Sequence, residues 1–118
     1  MEKEILMFKK DRYAAARGGT SQFLDIYCAA CGEYLAMYQK DGPGKLLRMY
    51  LDRIVSPKQF CTLLAQITNK KEMKNFTCST CEVLIGVPMV YEKEKRLAFH
   101  LIPGSFKKKR NLTRERKR

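Results

Sequence analysis

The hydrophobic and polar positions of this chain alternate more often than they follow a helical period, and the alternation comes in separate blocks. SQFLDIY (residues 21–27) reads as a strand, and EYLAMYQK and KLLRMYLDRI read as two more around the turn DGPG. With a four-residue loop this pair forms a β-hairpin in which Tyr38 faces Leu47, Ala36 faces Met49 and Tyr34 faces Leu51. These six side chains then share one face, and Leu35, Met37, Arg48 and Tyr50 the other. EVLIGVPMVY and RLAFHLI form a second hairpin around EKEK, with Gly86 and Pro88 marking a bulge or an edge position. One block breaks the period of two. Ser56, Pro57 and Gln59 read as an N-cap, first helical residue and capping box. Phe60, Leu63, Leu64 and Ile67 follow as one apolar stripe that packs on a core, and Asn69, Lys70 and Lys71 close a helix over about 57–70. The pattern predicts a mainly β, α+β domain with one inserted helix.

Each hairpin follows a pair of cysteines, CAAC at Cys28 and Cys31 and CSTC at Cys78 and Cys81, so the chain carries a weak internal duplication. A thioredoxin-like couple needs one such pair at a helix N-terminus in a βαβ setting, whereas here there are two, each followed by strand pattern. The total of five cysteines argues against a simple disulfide framework. Two C-x-x-C turns supply the four soft ligands of a tetrahedral Zn²⁺ site, and a filled four-thiolate site is closed and structural. Gly32 after the first pair relieves the tight turn of such a knuckle, and Glu82 after the second is less ideal. Cys61 lies outside any ligand spacing and reads as a small, semi-buried apolar residue.

The stretches IYCAACGEYLA and FTCSTCEVLIG carry a further reading. Each has C-x-x-C, three residues, then Leu-Ala or Ile-Gly. This layout resembles the β-tent group of zinc proteins, which includes Yippee-like domains and the zinc domain of B-class methionine sulfoxide reductases. The resemblance covers roughly residues 22–103. It implies that Cys28, Cys31, Cys78 and Cys81 ligate one structural zinc that clamps two β-hairpin sheets. A zinc ribbon with an inserted helix is the alternative fold, although ribbons usually have closer knuckles. The chain departs from the reductases, which carry a catalytic cysteine on a strand beyond the knuckles. No cysteine follows Cys81, and Cys61 lies between the knuckles in the helix pattern, so reductase chemistry is not expected.

Other catalytic chemistry has no visible residues. His100 is the only histidine and reads as a rim residue opposite the face of Leu97, Phe99 and Leu101. Asp25, Glu33 and Asp52 form no recognisable pair, and DGPG lacks the lysine-serine/threonine ending and following helix of a phosphate loop. Neither an enzyme nor a small-molecule substrate is expected.

Charge changes the picture most. The net charge is +12, and residues 107–118, KKKRNLTRERKR, hold eight basic residues and one acid. The chain therefore divides into an N-terminal arm (residues 1–20, loosely attached, with helical character at its start), a zinc-binding β domain (21–106) and a polybasic tail (107–118). Lys107, Lys108, Lys109, Arg110, Arg114, Arg116, Lys117 and Arg118 are the candidate nucleic-acid contacts. If all eight met phosphates, log K on duplex would fall with log salt at a slope of about −7. Tyr13, Tyr34, Tyr38, Tyr50, Phe76 and Tyr91 are candidate base-stacking groups, most of them core. The expected function is RNA, ribonucleoprotein or DNA binding. A protein-interaction module presenting a hairpin edge is the second expectation, a sulfoxide-reducing or redox enzyme the third, and a disordered solubilising or targeting segment remains the plainest role for the tail. No apolar run approaches the roughly 18 residues of a membrane span. The start, MEKEILMFKKDR, has too short an apolar patch for a signal-peptide core, so an intracellular protein is expected.

Overall fold

The computed structural model describes residues 8–112. Among these residues eight strands form two four-stranded antiparallel sheets. In the first, strand β1 (Ser21–Cys28) pairs with β2 (Tyr34–Asp41), β2 with β4 (Ile54–Ser56), and β1 on its other side with β8 (Phe106–Arg110). In the second, the order is β3 (Arg48–Tyr50), β7 (Arg96–Leu101), β6 (Leu84–Tyr91) and β5 (Phe76–Thr77). The core between them is built from Ile26, Ala36, Met49, Ile85 and Ala98, all fully buried. The main helix, α2 (Lys58–Ala65), lies against β4 and closes one side. Its Phe60 stacks on Phe76 and Phe99 of the second sheet at 5.4 and 6.4 Å between ring centres. Such pairs each add about 0.5–1.5 kcal/mol beyond their buried area.

The hairpin expected around DGPG does not form. Tyr38 pairs with Leu24 and Ile54, not Leu47, while Met49 pairs with Phe99. The facing of the side chains is right, since Ala36, Tyr38 and Met49 are all buried, but they meet across the core rather than along a ladder. Leu47, expected on that face, is 54% exposed. The loop itself explains the crossing. Gly42, at φ 78°, donates its N–H to Thr20 O and sits so close to Arg17 that a Cβ would lie 2.7 Å from that side chain. Held there, the chain leaves the first sheet, and the Tyr50 N–H reaches back to the Tyr38 hydroxyl at 2.9 Å. The second hairpin forms as expected, Val87 opposite His100 and Tyr91 opposite Arg96. A bulge falls where β5 meets β6 at Gly86, and Pro88 lies beyond the short β5, where it owes that strand no N–H.

The helix is shorter than expected and capped differently. Ser56 ends β4 opposite Met37, and its hydroxyl bonds the Tyr34 hydroxyl at 2.7 Å, so the Ser56–Gln59 capping box is absent. Beyond Gln66 the Glu72 carboxylate takes the Thr68 N–H at 2.7 Å, and Asn69 leads a separate turn over Lys70–Glu72. Leu64 is buried, but Leu63, expected in the core stripe, is 63% exposed.

The N-terminal segment from residue 8 is fixed to the sheets. Asp11 caps a short helix, α1 (Arg12–Ala16), which buries Ala14. Phe8 stacks on Phe23 at 4.4 Å, and the Gln39 side chain bonds both the N–H and C=O of Lys9. Ion pairs complete the attachment. Arg53, 1% exposed, joins Asp11 (2.6 Å) and Asp41 (2.8 Å), and Arg96 joins Asp52 and Glu94, which also holds Arg17. The Arg96 guanidinium lies between the rings of Tyr13 and Tyr50, 3.9 and 3.8 Å from their centres. The described part of the arm is therefore packed rather than loose, and the tail expected from residue 107 is strand β8 as far as Arg110.

Candidate metal centre and basic strand

Each cysteine pair sits at the turn of a hairpin, β1–β2 or β5–β6, and only the second pair also leads into a further hairpin, β6–β7, as the spacing suggests. Cys28 ends β1 and Cys31 lies between β1 and β2 in one sheet, and Cys78 and Cys81 lie between β5 and β6 in the other. The two turns repeat each other bond for bond. The Cys28 N–H donates to Glu33 O and the Gly32 N–H to Cys28 O; the Cys78 N–H donates to Val83 O and the Glu82 N–H to Cys78 O. The amides of Glu33 and Val83 donate to the sulfurs of Cys31 and Cys81.

The position after the second cysteine is left-handed in both turns, at φ 84° for Gly32 and 66° for Glu82. Glycine adopts this conformation freely, whereas an L side chain there costs roughly 1–2 kcal/mol. Nothing crowds a Cβ at Gly32, so the penalty is purely conformational. Chemical denaturation in excess zinc should find Gly32→Ala destabilised by about 1–2 kcal/mol and Glu82→Gly stabilised by up to about 1 kcal/mol.

The four sulfurs come together. All lie within 4.8 Å of one another, with Cys28 to Cys81 and Cys31 to Cys78 both at 3.6 Å. A disulfide needs about 2.05 Å. A tetrahedral zinc with sulfurs at about 2.3 Å needs them about 3.8 Å apart, which this cluster approaches without backbone rearrangement. Cys28 and Cys78 are buried and Cys31 and Cys81 are exposed, so the cluster spans from core to surface. Four thiols this close perturb one another. The Cys81 and Thr80 amides hold Cys78 down to about 7. At Cys31 the Glu33 amide pulls downward, but lost hydration and the neighbouring sulfurs prevail and push it up to about 12. Ionising all four requires a cation among them.

Cys61 stands apart, half-buried. Its thiol donates to Ile54 O at 3.1 Å, and burial raises its pKa, as suits a packing residue rather than a nucleophile. His100 is exposed, with Arg48 and Val87 as strand neighbours.

Of the basic candidates, Lys107, Lys108, Lys109 and Arg110 lie on β8, exposed at the edge of the first sheet. Lys107 and Lys109 share a face with Tyr27 and Asp25, and Lys108 and Arg110 with Ile26 and Leu24. Arg114, Arg116, Lys117 and Arg118 lie outside the described residues. β8 starts beside the cysteine cluster: Phe106 pairs with Cys28, and the Ala29 N–H donates to Ser105 O at 3.0 Å. Among the aromatic candidates, Tyr38 and Phe76 are core, and Tyr13, Tyr50 and Tyr91 carry arginines on their rings. Tyr34 is 37% exposed, its hydroxyl engaged by Ser56.

Sequence reasoning missed the charged groups of the sheet junction, namely Arg53, Arg96 and Lys40, because each reads as an ordinary solvated residue in an alternating strand. Among the described residues no helix is long and apolar enough to cross a membrane. No family model, curated protein or solved structure matches this chain.

Proposed function

We propose that the four cysteines hold one structural zinc ion of the β-tent type, and that the domain so formed binds nucleic acid, RNA or a ribonucleoprotein first, through its basic strand and the residues that follow. Cys28, Cys31, Cys78 and Cys81 are the ligands; the ion neutralises their thiolates and joins the two sheets. One observation supports the functional half: the four successive cations of β8 follow directly from the cysteine cluster on a strand paired with β1. A preorganised row of ammonium and guanidinium groups displaces counterions from a phosphate backbone at little ordering cost. Lysines on an edge strand also block edge-to-edge aggregation, so a binding measurement is needed. This reading expects a reducing, intracellular setting, in which the four thiols stay available to the ion.

Because residues 107–110 are β8, deleting 107–118 would strip an edge from the sheet, and point substitutions make the cleaner test. Lys107→Ala with Lys109→Ala should weaken single-stranded RNA binding and flatten its log K against log salt slope by about 1.4, with melting unchanged. Equal affinity of wild type and double variant throughout a salt titration would rule this reading out. The second reading, a protein-interaction module, is favoured by a groove of about 670 Å³ beside α2, lined by Tyr34, Phe60, Leu63 and Ile67. Sequencing nucleic acid crosslinked to the native protein separates the two, since an interaction module yields none above background.

A further inference from the structure

The crossing loop between the sheets borders a half-open pocket of about 250 Å³ whose charged lining is mostly cationic, with the rings of Tyr38 and Tyr50 beside it. Arg17, Lys40, Lys45 and Arg48 line it against one acid, Asp41. Two of these charges cancel elsewhere. Arg17 is held by both oxygens of Glu94, and Asp41 is taken by Arg53, Ser21 and Gln39. Lys40, Lys45 and Arg48 remain without a carboxylate among the described residues.

Lys40 is the telling member. It is 7% exposed, and its ammonium has a single acceptor among the described residues, Gly42 O at 2.7 Å. Its other two N–H groups meet no acceptor among the described residues, which leaves them available to a ligand in the pocket. Burial, and then repulsion from Lys108, depress its pKa. Arg48 stacks on Tyr91 at 4.3 Å and bonds the Tyr50 hydroxyl through Nε, which fixes its orientation. Lys45 is exposed in the loop.

We propose that this pocket is a phosphoryl-binding site, in which Lys40, Lys45 and Arg48 grip the oxygens of a phosphate monoester or diester. Side-chain cations do the binding, not the main-chain amides of a phosphate loop, whose sequence marks are absent. The pocket falls below the roughly 300–1,000 Å³ of pockets for drug-sized ligands, which suits one phosphoryl group with the rest of its molecule outside. The ligand is either a phosphate of a nucleic acid strand or a free phosphate compound, and the site stands on its own geometry whichever it is.

The test uses the full zinc-loaded chain in a chloride buffer. Inorganic phosphate should raise the melting temperature above that in sodium chloride of equal ionic strength, and calorimetry should give a binding isotherm. Lys45→Ala, an exposed change that leaves the fold intact, should weaken phosphate binding about ten-fold, and Lys40→Met, which keeps the side-chain length, by at least as much. Displacement of a uridine octanucleotide by phosphate would assign the site to a nucleic acid strand. Phosphate binding without such competition would assign it to a free phosphate compound. Equal effects of phosphate and chloride, or wild-type phosphate affinity in Lys45→Ala, would overturn the proposal. An octanucleotide that binds through Lys107 and Lys109, in a protein on which phosphate and chloride act alike, overturns the site while leaving the nucleic-acid reading in place.

Discussion

Cys78→Ser should leave a chain without a cooperative melting transition, and a strong chelator should do the same to wild type. Structural zinc contributes about 10–16 kcal/mol of apparent binding energy, against a total stability of about 5–15 kcal/mol for an ordinary domain. Cys78 is fully buried at the meeting of the sheets, so its loss removes both a proposed ligand and a core contact. Far-ultraviolet circular dichroism during heating, with zinc measured in the same samples, provides the readout. Cys61→Ser is the control and should melt within about 1 kcal/mol of wild type, since that thiol makes one bond to Ile54 O. If Cys78→Ser melted like the parent, the clamp would have no structural role.

The second large effect is expected at Arg53. Its guanidinium is buried between Asp11, Asp41 and Asp52, at 2.6, 2.8 and 3.6 Å. Arg53→Met keeps much of the volume but leaves the Asp41 carboxylate, whose side chain is 5% exposed, without its cation and with only the Ser21 and Gln39 hydrogen bonds. Breaking a buried pair from one side costs about 3–5 kcal/mol, a loss of more than about 10 °C in a domain of this size. The effect should also depend on pH. The Arg53 hydrogen bond, aided by the Ala14 and Tyr13 amides, holds the Asp11 carboxyl well below the usual carboxylate range. A group depressed in the folded state stabilises at pH above its unfolded value and loses that contribution as pH falls. The stability gap between wild type and Arg53→Met should therefore begin to narrow only as pH falls to about 4 and go on narrowing below it, in samples whose metal content is checked alongside. A constant gap across that range would remove Asp11 from the account.

Much of the site was legible because it is local. A C-x-x-C turn needs no distant partner to be recognised, and the repeat of the turn predicted that four sulfurs would meet. The second hairpin was legible for the same reason: its strands are joined by the short EKEK turn, and alternation sets their register. The first hairpin was misread because alternation reports which face a residue shows, not which strand lies beside it. Ala36, Tyr38 and Met49 do face inward together, yet one four-residue loop can close a hairpin or cross to another sheet. Contact with Arg17, a residue more than twenty positions earlier, settles which. Ser56 failed as a helix cap for a similar reason, since strand pairing to Met37 and the Tyr34 hydroxyl engaged it first.

The sequence by itself determined the strand-rich class, the main helix, the paired cysteine turns and the concentration of positive charge toward one end. Those features depend on residue type and short spacing, which act before the chain folds. Only the tertiary structure decided that the two sheets exchange strands, with β3 joining the second and β8 the first. It also decided that Arg53 and Lys40 lose their water, and that the basic stretch begins as an ordered edge beside the cysteines. The reason is that burial and strand partnership are properties of the whole arrangement: a lysine in an alternating strand has the same local pattern whether it stands in solvent or is packed beside a pocket.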